Sequence, residues 1–137
     1  MVSKSRAVRW ASYAMSGLVI AFMVLDGVMK LVPFDFVIKA TADLGYPASI
    51  AFARGLGVTA LACTALYAAP RTAMLGAILL TAYMGGAVAS HLRLGDPLFT
   101  HILFGVYLAV LAWGGLYLRD LRLRALLPFR AAPSPDE

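Results

Sequence analysis

The sequence predicts an all-α integral membrane protein, a four-helix transmembrane bundle with a short amphipathic helix between helices 1 and 2. Hydrophobic residues make up 61% of the 137 residues and charged residues only 14%. Soluble domains average roughly 45–50% apolar and about 25% charged residues, so this chain has too little charge to cover a small globule. The same composition excludes a disordered chain, and the single cysteine, Cys63, excludes a disulfide-rich scaffold.

Four apolar segments are each long enough to cross the roughly 30 Å hydrocarbon core of a membrane, which takes about 20 residues. Backbone groups in lipid must form their hydrogen bonds within the segment, so each span is predicted to be a helix. The predicted spans are residues 10–29, 48–69, 72–92 and 98–118.

The connections between the spans differ in length. Pro70 marks a tight turn between the second and third spans, and Gly95-Asp96-Pro97 marks a turn before the fourth. The first connection, residues 31–47, is longer and mixes apolar side chains with charged ones such as Asp35 and Lys39. We expect a short amphipathic helix at the membrane surface there, with a soluble loop as the alternative.

Small residues recur at every fourth position in two spans, which predicts that these two helices pack closely. The two ladders are Ala51, Gly55, Thr59 and Cys63 in the second span, and Ala73, Ala77, Thr81, Gly85 and Ala89 in the third.

Basic residues are distributed unequally between the two ends of the predicted bundle. Eight lie at the end that holds both termini and the middle turn, against three or four at the other end. Positive charge marks the cytoplasmic side. We therefore expect both termini there, as a basic segment over residues 1–9 and a basic, largely disordered tail over residues 119–137. Anionic lipid explains the net charge of +5, and no nucleic-acid partner is expected.

Each span carries an ionisable group near the expected outer, periplasmic surface, and these groups are Asp26, Arg54, His91 and His101. Charged groups at such depth cost several kcal/mol unless they are paired or face the protein interior. We therefore expect an internal Asp26–Arg54 ion pair. The two histidines follow each other across a short turn and are expected to face one cavity. The structural alternative is that the histidines cap helix ends and the ion pair serves packing.

These considerations assign candidate roles to eight residues. The candidate catalytic residues are His91, His101 and Asp26. The candidate substrate-binding residues are Arg54, Lys30, Arg93, Asp96 and Tyr83. Lys30 and Arg93 alternatively extend to the membrane surface as snorkelling side chains, and an aromatic residue such as Tyr83 often fills a bundle core.

No metal site is predicted, because no two ligands occur at the HxxxH, ExxH or CxxC spacing that places a pair on one helix face. No flavin, haem or iron–sulfur motif is recognisable in the chain. The sequence pattern therefore leaves the identity of any cofactor open.

Four short motifs give the chain a resemblance to a known family. They are Gly27-Val28-Met29-Lys30, Leu44-Gly45-Tyr46-Pro47, Arg54-Gly55-Leu56-Gly57 and Ala89-Ser90-His91-Leu92-Arg93-Leu94-Gly95-Asp96. Over roughly residues 13–118 the chain resembles the DoxX-like family of small four-helix bacterial inner-membrane proteins. The family name derives from a subunit associated with thiosulfate:quinone oxidoreductase. The resemblance therefore implies the bacterial inner membrane and favours quinone-linked redox work.

Four functions remain open. The first is an oxidoreductase component that binds a quinone-like or other lipophilic small molecule in an outer-leaflet polar pocket, with electrons from a redox partner subunit or from the substrate. The second is a non-catalytic small-molecule binding or transport protein, for which a homo-oligomer would supply the additional helices that transport needs. The third is an assembly subunit of a membrane complex. The fourth is a membrane isomerase or hydrolase acting on a lipophilic substrate. All four place the chain in a lipid bilayer.

Overall fold

The computed structural model describes residues 5–129, which form six α-helices and one π-helical turn. The helices are α1 (Arg6–Leu31), α2 (Asp35–Asp43), α3 (Ile50–Ala68), α4 (Ala73–Leu94), α5 (Phe104–Arg119) and α6 (Leu121–Leu126). The π-helical turn, Leu98–Ile102, continues into α5, so that the fourth apolar segment runs over Leu98–Arg119. Together with α1, α3 and α4 it is long and apolar enough to cross a membrane. The predicted four-helix membrane bundle is confirmed.

Local sequence signals explain where several helices begin and end. Ser5 and Ser49 cap α1 and α3, because each side chain accepts a hydrogen bond from a backbone N–H group three residues later. α4 ends at Leu94 and is capped by Gly95, whose φ of 72° suits a residue without a Cβ. The amphipathic helix expected in the first connection is present as α2, which buries Val37 and Thr41.

Beyond α5 the structure differs from the expected tail. Leu123 on α6 is buried, and Arg124 donates hydrogen bonds to the carbonyl oxygens of Tyr117 and Leu118. These carbonyls belong to the last turn of α5, where no intrahelical donor is left for them. The chain is therefore helical over Leu121–Leu126, within the tail predicted to be largely disordered. Residues 1–4 and 130–137 lie outside the described residues.

The four spans pack as a square. α1 and α4 each contact both α3 and α5, so α1 lies diagonally opposite α4. Large apolar side chains such as Trp10, Val58 and Val110 remain exposed on the outside of the square, as expected for a multi-pass membrane protein whose helices face lipid. We call the end of the bundle that holds α2 the α2 end, and the opposite end the α6 end.

α3 and α4 pack against each other mostly through residues outside the two ladders of small residues that the sequence analysis singled out. Of the two ladders only Cys63, Ala73 and Ala77 are buried, and the other six members are exposed. A Cβ on Gly76, outside both ladders, would lie 2.1 Å from the backbone nitrogen of Tyr67. The ladder prediction is wrong for most members, since a four-residue period drifts by about 40° per step around a helix of 3.6 residues per turn.

A buried hydrogen-bond chain joins α1, α3 and α5 at the α6 end. The Tyr67 hydroxyl donates to the carbonyl oxygen of Ala112 at 2.8 Å and accepts from the Ser16 hydroxyl at 2.8 Å. Arg119 in turn donates to the oxygen of Ser16. Hydrogen bonds between helices help to hold a bundle together where lipid removes the hydrophobic drive for association.

Candidate functional site

A cavity of about 430 Å³ lies inside the bundle at the α2 end. All four spans contribute to its wall, and the segment after α2 covers it. Its apolar lining includes Phe22, Met23, Met84, Phe104 and Leu108. Five of the eight site residues predicted from the sequence also line it, namely Asp26, Lys30, Tyr83, His91 and His101.

The end of α4 determines how His91 is held. Gly95 donates its N–H to the carbonyl of Leu92, and Asp96 donates its N–H to the carbonyl of His91, a pattern that closes many helices at glycine. The same turn places a carboxylate oxygen of Asp96 2.6 Å from His91 Nδ1. An ionised carboxylate only accepts hydrogen bonds, so Nδ1 carries a proton. The ring nitrogen left for a ligand is Nε2. Asp96 itself stands behind His91 and not at the cavity wall.

The π-helical turn positions His101. In this turn the N–H groups of Ile102 and Leu103 bond to carbonyls five residues earlier, the wider spacing that is often found at functional sites. The imidazole of His101 lies with its centroid 5.6 Å from that of His91, at an interplanar angle of 62°. Its Nδ1 is 2.8 Å from the hydroxyl of Thr100. The structure thus brings both imidazoles to the wall of one cavity.

Asp26 forms an ion pair with Lys30, one turn later on the same face of α1. The two side chains are 28% and 20% exposed, so the pair is partly buried. The expected pair between Asp26 and Arg54 is wrong. Lys30 reaches the carboxylate within one helix, whereas Arg54 lies exposed on α3 and uses its Nε elsewhere.

Arg54 and Arg93, two predicted binding residues, do not line the cavity. Arg54 Nε donates to the carbonyl oxygen of Leu31, the last residue of α1, at 3.0 Å. Arg93 Nη2 donates to the carbonyl oxygen of Leu44, which follows α2, at 2.6 Å. Each guanidinium therefore caps the carboxyl end of a helix, where a cation is favoured by the helix dipole. Their positions indicate a role in joining elements around the cavity.

Two cavity residues were missed by the sequence analysis. Ser90 donates to the carbonyl of Gly86 at 2.8 Å, and its oxygen accepts from the Tyr46 hydroxyl at 2.6 Å. This bond ties the segment after α2 to α4 across the cavity. Tyr46 and Ser90 are 44 positions apart, so no local spacing connects them. The available signal was that both fall within the motifs that carry the family resemblance.

The described residues offer hydrogen-bonding and proton-exchange chemistry at this site. Between residues 5 and 129, no three His, Cys, Asp or Glu side chains come together as metal ligands. What the cavity provides is two imidazoles, an ion pair and two tyrosines, all next to an apolar wall. Such a wall excludes water and strengthens polar contacts made by a bound ligand.

Comparison with known proteins identifies a family. The model of the DoxX-like family matches residues 14–115, a range that contains the whole cavity wall. No curated protein and no solved structure matches the chain significantly.

Proposed function

Since the chain belongs to the DoxX-like family, we propose that it is a membrane component of an oxidoreductase whose cavity binds the head group of a quinone or a similar lipophilic molecule. The observation that carries the proposal is the make-up of the cavity wall. Two imidazoles whose ring centroids lie 5.6 Å apart belong to this wall, together with an ion pair, two tyrosines and an apolar surface that includes Phe, Met and Leu side chains. Small-molecule pockets typically combine an apolar wall with a few placed polar groups, in volumes of roughly 300–1,000 Å³.

The two imidazoles suit a molecule whose ring oxygens are carbonyl groups in one redox state and hydroxyl groups in the other. With Nδ1 bound to Asp96, a neutral His91 accepts a hydrogen bond from a hydroxyl through Nε2. A protonated His91 donates one to a carbonyl through the same atom. Imidazole both accepts and donates protons, so this one ring nitrogen suits both forms of the ligand. His101 lines the same cavity, where it hydrogen-bonds a second ring oxygen or forms part of a proton path.

The ion pair on α1 places a positive charge at the cavity wall without leaving an unpaired charge away from water. The Lys30 ammonium at the cavity wall favours an oxygen on which electron density increases. Asp26 keeps the pair neutral overall, which is the condition under which charges are tolerated away from water. Of the two candidate substrate-binding residues Lys30 and Arg54, only Lys30 lines the cavity and supplies this positive charge. The electron donor is placed in a partner subunit or a second small molecule.

We place the chain in the bacterial inner membrane, with the α6 end in the cytoplasm and the cavity near the periplasmic surface. Among the described residues, the α6 end carries six basic side chains and one acidic one. The α2 end carries four of each. This excess of basic residues at the α6 end supports the orientation by the positive-inside rule.

Ligand binding by the purified full-length protein in nanodiscs tests the proposal. We expect wild-type protein to bind decylubiquinone saturably. His91→Ala removes one ligand hydrogen bond and lowers the affinity about tenfold, which corresponds to about 1.4 kcal/mol. Lys39→Ala is the control, because Lys39 is an exposed residue of α2 that is paired with Asp43 and does not line the cavity. Its affinity should equal that of the wild type.

Two results would count against the proposal. One is an absence of saturable binding by the wild type, and the other is unchanged affinity in His91→Ala. Should the bound molecule instead cross unchanged into the lumen of proteoliposomes, the transport alternative replaces the oxidoreductase component.

A further inference from the structure

The surface of α4 is exposed on three sides at the depth of the cavity. Successive residues of a helix project about 100° apart, and the consecutive residues Gly85, Gly86 and Ala87 are all exposed. Met84, just before them, is buried in the core. Accessible surface therefore continues around α4 at this level, from its outward face to the face that lines the cavity.

The cavity itself follows this path. Ala82 and Gly86 both line it, although each is two positions from the buried Met84 and so projects about 200° away from it. A cavity enclosed by the bundle would be lined only by the inward face of α4. The cavity must therefore extend around one flank of α4 to the side that faces lipid.

The open flank is the one next to α3. The opposite flank is covered, since Gly105 on α5 packs against Val88 and Met84. On the open flank Gly86 lies one turn from Ser90, where the Tyr46 hydrogen bond closes the gap at the α2 end. Towards the α6 end, the close approach of α3 and α4 at Gly76 closes it again.

A second path to lipid, between α1 and α5, is blocked by aromatic side chains. The rings of Phe22 and Phe104 lie at the cavity wall with their centroids 4.9 Å apart, in an edge-to-face arrangement. At the open flank, by contrast, a Cβ placed on Gly86 meets no atom within 4 Å. No side chain therefore blocks the opening at Gly86 itself.

We infer that this opening, framed by Ala82, Gly86 and Leu56, is a lateral window through which the tail of the ligand leaves the cavity and enters the bilayer. The inference rests on the proposed function and narrows the ligand class. A volume of about 430 Å³ is near the low end for drug-sized ligands and holds a ring head group but no long tail. The ligand is a ring with an alkyl or isoprenoid tail, and it arrives from the lipid phase.

Two neighbouring glycines provide a matched test. Gly85 and Gly86 are both exposed, and a Cβ on either meets no atom within 4 Å, but Gly86 lines the cavity and Gly85 does not. We would measure the affinities of decylubiquinone and of the analogue with the same ring and no tail, in nanodiscs. Gly86→Leu should weaken binding of the tailed molecule by about tenfold or more and leave the tailless one within about threefold. Gly85→Leu should change neither affinity.

The outcomes separate the window from the proposed function. Equal losses for both analogues in Gly86→Leu would show that residue 86 merely lines the cavity, and no loss for either would show that the tail leaves elsewhere. Each result overturns the window and leaves the proposed function standing. If neither analogue binds the wild type, the proposed function is wrong and the window with it. Ala82→Leu, one turn away on the same flank, repeats the test if Gly86→Leu does not fold.

Discussion

His91 and Tyr67 show how single side chains are held at the two ends of the bundle. Tyr67 is fully buried and hydrogen-bonds to α1 and α5, which fixes it as a structural residue. His91 is fixed on one side only, by Asp96, and its other ring nitrogen is available at the cavity wall. This one-sided fixation is the arrangement expected of a histidine that binds a ligand.

Replacement of Asp96 should change the tautomer of His91. In the wild type the carboxylate accepts from Nδ1, so nitrogen-15 NMR of the imidazole should show a protonated Nδ1 at pH values where the ring is neutral. In Asp96→Ala that acceptor is lost, and the Nε2-protonated tautomer should become populated. His101, bound through Nδ1 to Thr100, provides the internal control, and its shifts should stay unchanged. Identical His91 spectra in the two proteins would show that Asp96 does not orient the ring.

At the residue scale, the sequence predicts the position of a side chain along the bundle but not the direction in which it extends. Sequence position along a span places Asp26, His91 and His101 near one end of the bundle, and all three line the cavity. It does not give the direction of a long side chain. Arg54 and Arg93 therefore reach backbone carbonyls outside the cavity, although their depth is similar. Tyr46 and Ser90 carry no charge and were not among the candidate site residues, although both fall within the motifs that carry the family resemblance.

At the scale of elements, the close contact of α3 and α4 near the α6 end determines where these helices can separate. They approach closely at Gly76, next to the backbone of Tyr67, and leave the open flank beside Gly86. Hydropathy is sufficient to predict the spans, because the thickness of the bilayer sets their length. It does not predict α6, since a helix of six residues is too short to give a periodic signal.

Gly76→Ala should destabilise the bundle. The new Cβ would lie 2.1 Å from the backbone nitrogen of Tyr67, so the helices must move apart, at a cost of about 1–3 kcal/mol. Reversible unfolding in detergent micelles measures this free energy. Gly85→Ala is the matched control, because its Cβ meets nothing and a glycine-to-alanine change within a helix stabilises by up to about 1 kcal/mol. Equal stability of the two variants would contradict the close contact at Gly76.

At the scale of the whole molecule, the two ends of the bundle are chemically different. The α6 end combines a buried hydrogen-bond chain with an excess of basic side chains. The α2 end balances its charges and surrounds the cavity. In the proposed function the α6 end sets the orientation in the membrane, and the α2 end presents the cavity to small molecules dissolved in the lipid. Because both features are distributed over several helices, neither is visible in any single segment.

Reporter fusions test the orientation. A fluorescent protein joined to the carboxyl terminus should fluoresce in intact bacteria, while alkaline phosphatase at the same position should be inactive, because the phosphatase needs the oxidising periplasm for its disulfides. Phosphatase inserted between α2 and α3 should be active. The reverse pattern would place the cavity on the cytoplasmic side.

The most direct measurement is the location of a bound ring in crystals grown from a lipid phase with a decyl quinone that carries bromine on its ring. We expect an anomalous bromine peak inside the cavity, with a ring oxygen in contact with His91 Nε2. Bromine found only on the lipid-facing surface, or a cavity filled by side chains of the bundle, would contradict it.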